Sequence, residues 1–133
     1  MKGLDQSKYP IEDIFENQKA DNTVRQLLKI FHANLHQEFE KANNVLKSRT
    51  HCIGITYLYS PRKAFIYLSV WQNFLSMRFF TGNSHIEGLN KGIWNKKDDN
   101  RGSETFIIQN NQSLDHAVIF AMEAHKIASD WSR

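Results

Sequence analysis

Between residues 52 and 80 the chain alternates apolar and other side chains with period two, broken at two places by turn-forming residues. That period belongs to β-strands, in which successive side chains point to opposite faces. It predicts three strands, about 52–59, 64–71 and 74–80. Ser60, Pro61, Arg62 and Lys63 make the first connection, Gln72 and Asn73 the second. Pro61 presets its own φ, and Asn73 tolerates the left-handed region. Connections this short make antiparallel hairpins, so the segment is a β-meander.

Turn length fixes register. The second turn opposes Trp71 to Phe74, Val70 to Leu75, Leu68 to Met77 and Ile66 to Phe79. The first opposes Tyr59 to Ala64, Tyr57 to Ile66, Ile55 to Leu68 and Ile53 to Val70. Both turns place Ile53, Ile55, Ile66, Leu68, Val70, Leu75 and Met77 on one face, which must be covered.

The cover is legible on either side. Behind Asp21 or Asn22, both good helix caps, Val24, Leu27, Leu28, Phe31, Leu35, Phe39, Ala42 and Leu46 follow helical spacing, predicting a long helix that ends near Lys47. Pro10, Ile11, Ile14 and Phe15 suggest a short helical turn before it, and residues 1–9 are expected to be disordered. After residue 80 the pattern breaks into a polar, glycine-bearing loop over 82–103, too long for an ordinary connection. A fourth strand at about 104–109 leads through Asn110, Asn111 and Ser113 into a last helix from Leu114 to about Asp130. The fold class is α+β: an antiparallel meander of about four strands packed on a long N-terminal and a C-terminal helix, in one domain of 133 residues.

The opposite sheet face is unusual for a solvent face. It carries Cys52, Gly54, Thr56 and Leu58, then Phe65, Tyr67, Ser69 and Trp71, then Phe74, Ser76, Arg78 and Phe80. Gly54, Ser69 and Ser76 align as a stripe of small residues, giving a trough with aromatic walls. Two occupants are open. The chain could fill it with its own N-terminal turn (Ile11, Ile14, Phe15) or with Ile86, Leu89, Ile93 and Trp94 of the long loop, since monomers seldom expose large apolar patches. Otherwise Tyr67, Trp71, Phe74 and Arg78, joined by Trp94 and Arg101, form a site for an unknown ligand, peptide or protein partner. Bases could stack there. Without an RNP-like pattern of glycine and basic residues, nucleic acid is the secondary reading.

Chemistry-bearing motifs are sparse. His32, His36 and Glu40 are spaced four apart on one helix, the one metal candidate, and the same spacing describes a plain solvated helix flank. His85, Glu87, Asp98, Asp99 and Arg101 share the long loop, with no constraint on their geometry. Gly82, Gly88, Gly92 and Gly102 match neither nucleotide-binding fingerprint. Cys52, alone in the chain, reads as a small apolar packing residue and agrees with a reducing, cytoplasmic setting. No cofactor is implied, and no segment approaches the apolar length of a membrane span. The net charge of +3, from 17 basic and 14 acidic residues, is too mild to nominate a nucleic acid by itself.

The strand pair around Phe65 to Tyr67 and Leu75 to Met77, Trp94, Arg101-Gly102-Ser103-Glu104 running into Phe106 and Ile108, and Leu114-Asp115 together carry a resemblance. From Val24 to Trp131 the chain resembles an uncharacterised family of small domains labelled predicted transport proteins, often joined to restriction-type or other defence modules. The stretch from Leu89, Asn90 and Lys91 to Trp94 also looks like part of a double-wing family described as DNA-binding. Neither resemblance implies a catalytic residue. The expectation is a non-catalytic binding module, with a nucleic-acid accessory protein and a small enzyme as alternatives.

Overall fold

A computed structural model describes residues 9–61, 63–82, 84–91 and 103–131. Among them are the helices α1 (Ile11–Gln18), α2 (Asn22–Lys41) and α3 (Asn111–Trp131). The strands are β1 (Lys47–His51), β2 (Gly54–Ser60), β3 (Lys63–Val70), β4 (Leu75–Phe80), β5 (Asn90–Lys91) and β6 (Ser103–Ile108), in the spatial order β1-β2-β3-β4-β6-β5. Every neighbouring pair is antiparallel. The α+β class and the central meander stand as expected, in a sheet of six strands rather than about four. No helix of the described residues is long and apolar enough to cross a membrane.

Asp21 caps α2 by accepting a hydrogen bond from Val24 N at 2.9 Å, worth about 1 kcal/mol. Its own N–H donates to Gln72 O at 2.9 Å, which ties the helix start to the β3–β4 turn. Val24, Leu27, Leu28, Phe31, Leu35 and Phe39 are buried. The helix stops at Lys41, not near Lys47, because Asn43 takes a left-handed φ of 58° and Asn44 N turns back to Phe39 O at 2.8 Å. Leu46, assigned to the helical stripe, is buried beyond it. The chain is thereby freed to form β1, an edge strand that polar Lys47, Ser48, Arg49, Thr50 and His51 had not suggested. Pairing makes it a strand: Thr50 opposes Ile55 and Arg49 opposes Thr56.

The β3–β4 register is the expected one, with Ile66 opposite Phe79, Leu68 opposite Met77 and Val70 opposite Leu75. The β2–β3 register matches at Ile55–Leu68 and Tyr57–Ile66, then departs. Leu58 pairs with Ala64 and Ser60 with Lys63, so Phe65 is extra in β3 and Tyr59 is extra in β2. These two compensating bulges re-aim side chains. Phe65, placed by simple alternation on the trough face, turns into the helix-side core. Its ring lies 6.3 Å from that of Phe39 and 5.1 Å from His125. Ile53 is displaced too: with Cys52 it forms the β1–β2 turn, where Ile53 is 47% exposed and Cys52 is exposed instead of packed.

The helix-side core also takes in Ile11, Ile14 and Phe15 of α1 and Ile86 and Leu89 of the loop. Both proposed internal occupants therefore pack with the helices, as far as the loop is described; Ile93 and Trp94 lie outside the described residues. Tyr9 is held there as well, its carbonyl accepting from Thr50 Oγ1 and its ring partly buried.

Burial against Phe39 and Phe65 disfavours the imidazolium of His125 and lowers its pKa below the ordinary 6.5. The unfolded chain then gains a proton on acidification that the folded chain resists. Stability is full above pH 6.5 and declines as pH falls through that value. The urea midpoint should be lower at about pH 5.5 than at about pH 7.5, and His125→Leu should flatten part of that decline. His51, lowered in the same direction by burial, accounts for some of the remainder. A midpoint that rises on acidification would contradict this account.

Candidate binding surface

Pairing across the sheet sets the outward face in rows. One runs His51, Gly54, Ser69, Ser76, Ile107, and the next Arg49, Thr56, Tyr67, Arg78, Thr105. The stripe Gly54, Ser69, Ser76 is thus the one expected from the turns. A third row begins at Lys47 and Leu58; Leu58, Ala64 and Phe80 make a small separate cluster on this side.

Over β1, β2 and β3 these rows enclose an open concavity of about 550 Å³. Thr56, Ser69 and Ala64 lie along it, with Arg49, Lys63 and Tyr67 around them. Arg49 is held by donating from Nη2 to Pro61 O at 2.8 Å. His51 Nε2 lies 3.0 Å from Thr56 Oγ1, and partial burial lowers its pKa, so near neutrality the ring acts as a neutral hydrogen-bonding group. Tyr67 is 37% exposed and sets its ring edge-on to Phe80 at 4.9 Å.

The expected site residues fall into four groups. Tyr67 borders the concavity. Arg78 is one strand over, half-buried, its Nη1 donating to Ser103 Oγ at 2.9 Å. Trp71, 53% exposed, stacks on half-buried Phe74 at 5.7 Å and 13°, at the end of the hairpin and outside the concavity. Trp94 and Arg101 lie outside the described residues. Arg49, His51 and Lys63 are new to the site. Only recognition of β1 could have found the first two, through the alternation of charged and small residues in Lys47-Ser48-Arg49-Thr50-His51.

Charge is segregated. The described carboxylates are in the helices (Glu12, Asp13, Glu16, Asp21 at a cap, Glu38, Glu40, Asp115, Glu123, Asp130), on the loop (Glu87), or buried on the inner side (Glu104). The outward strand positions carry Lys47, Arg49, Lys63 and Arg78 and, among the described residues, no carboxylate.

Other candidate chemistry is structural. His32, a metal candidate, is buried with its Nδ1 2.9 Å from Tyr57 Oη; burial pushes that phenol's pKa up, so it stays protonated. His36 Nε2 lies 3.1 Å from Glu40 Oε1, without an aligned hydrogen bond at either ring nitrogen. Among the described residues no three potential ligands are placed to share a metal ion. His85 contacts Glu104, whose other oxygen accepts from Ile86 N at 2.9 Å, and its Nε2 is 3.7 Å from Glu87. Glu104 thereby pins the start of the long loop. Asp98, Asp99 and Arg101 lie outside the described residues. Comparison with known proteins adds no relative: no family model, no curated protein and no solved structure matches the chain.

Proposed function

We propose that the protein is a non-catalytic binding module whose outward sheet face takes an anionic ligand. One observation carries this reading: Arg49 and Lys63 line an open concavity beside the exposed ring of Tyr67, on a face whose strand positions carry no carboxylate among the described residues. Like charges on one face repel one another, and a bound anion lowers that cost. Thr56, Ser69 and His51 supply short hydrogen-bonding groups on the floor, while Tyr67 offers apolar surface beside them. Hydroxyls, rings and cations without an acid suit binding and orientation better than proton transfer.

Anisotropy titrations of labelled polyglutamate, a heparin oligosaccharide and an oligonucleotide test the reading. At least one should bind at low salt, and Arg49→Glu or Lys63→Glu should weaken it about tenfold or more. Absence of binding by all three, or binding indifferent to both substitutions, sinks it.

A further inference from the structure

We infer that the concavity over β1, β2 and β3 binds a small organic acid: one oxyanion, carboxylate or phosphate, on a flat apolar body with a hydroxyl at its far end. This rests on the anionic-ligand reading above and names the kind of anion.

Charge gathers at one end of the concavity. Arg49 Nη2 donates to Pro61 O at 2.8 Å, which holds the guanidinium at the β2–β3 turn, and Lys63 follows that turn at the start of β3. A carbonyl fixes a guanidinium without neutralising it, and the fork keeps further N–H donors for an oxyanion. Lys47 opens the adjoining row of Leu58 and Ala64, so its charge lies at the same end. Cations collected in one place suit a single anionic group. A polyanion is better served by cations spread along its length.

The other end is polar and neutral. His51 Nε2 and Thr56 Oγ1 lie 3.0 Å apart, and Ser69 is paired with Gly54 beside them. Between the two ends stand Leu58, Ala64 and the ring of Tyr67, which is 37% exposed. From Leu58 to Gly54 along β2 is about 13 Å, so a ligand with its oxyanion at Arg49 and Lys63 and its hydroxyl at Ser69 and His51 is roughly 10 Å long. That is the span of a pair of linked rings. The volume of about 550 Å³ falls within the range of about 300–1,000 Å³ usual for small-molecule sites.

The test titrates the full chain with a hydroxybiphenyl carboxylate and with the matching phosphate, followed by amide NMR shifts. At least one should bind with a Kd of about 0.1–1 mM, as the size of the ligand predicts, moving Thr56, Tyr67 and Ser69; the tighter of the two identifies the headgroup. The neutral carboxamide should bind about tenfold more weakly than the carboxylate, for want of charge-assisted bonds. Arg49→Ala should weaken the acid about tenfold and leave the carboxamide unchanged. Ser69→Leu fills the floor without removing a charge. It should abolish binding of the acid yet spare binding of polyglutamate or heparin at low salt. At about 0.15 M salt the polyanions should be lost and the acid retained, because ring burial is not screened. Ile119→Ala, on exposed helix surface, is the control, and circular dichroism checks the fold of each variant.

The small-acid assignment is overturned if the carboxamide binds as well as the acid, if Ser69→Leu leaves the affinity for the acid unchanged, or if neither acid binds while a polyanion does. Where a polyanion still binds through Arg49 and Lys63, the anionic face survives and only the small acid falls. If no anion of any size binds, both readings fall together.

Discussion

Phe65→Ala should destabilise the protein by about 3–5 kcal/mol, whereas Phe74→Ala, nine residues on, should cost about 1 kcal/mol. Strand alternation alone would put the two rings on the same outward face with similar costs. The bulge in β3 separates them. Phe65 is 0% exposed, wedged between Phe39 of α2 and His125 of α3, so its removal leaves a cavity lined by two helices that are fixed by other contacts. Phe74 is half-buried and loses its stack on Trp71, while water fills the space. Urea denaturation of the two variants at a common pH measures the difference. Equal costs would mean that β3 runs without its bulge and that Phe65 belongs to the outward face.

The same residue shows how far the sequence could be read. Period-two alternation and turn chemistry gave Ile55–Leu68, Tyr57–Ile66 and Leu68–Met77 correctly, because each follows from counting outward from a short turn. Counting fails where a residue is inserted, and Tyr59 and Phe65 are apolar on both readings, so hydrophobicity cannot reveal the insertion. Helix α2 was legible from its cap and stripe, but Leu46 fits the stripe and the following connection equally well. Strand β1 had no signal of its own: Ser48 and Thr50 are buried only because β2 lies beside them. Missing β1 hid Arg49 and His51, and with them the charge of the site. The rings of the site come from side-chain type, which a sequence displays directly. Its cations come from strand pairing, which a sequence displays only when both strands are recognised.

Gly54→Ala is the second large effect, expected at about 3 kcal/mol or more, the upper end for overpacking. A Cβ at Gly54 would stand 1.9 Å from Leu68 O, 2.9 Å from Leu68 C and 3.0 Å from Ser69 Cα. All three are backbone atoms, so no rotamer change relieves the contact; β2 and β3 would have to separate where they are paired. The neighbouring Ser69 in the same stripe already carries a Cβ, so Ser69→Ala should cost under about 1 kcal/mol. Small residues in one stripe thus serve two purposes. Gly54 permits the close approach of two backbones beside the Cys52–Ile53 turn, and Ser69 and Ser76 keep the surface low between the rings of Tyr67 and Trp71 and the edge strands. If Gly54→Ala retains the wild-type urea midpoint, β2 and β3 are farther apart than described, and the concavity that their approach shapes would have to be redrawn. If it lowers the midpoint while Ser69→Ala does not, the floor of the binding face is set by backbone contact, and ligand specificity must come from the residues around it.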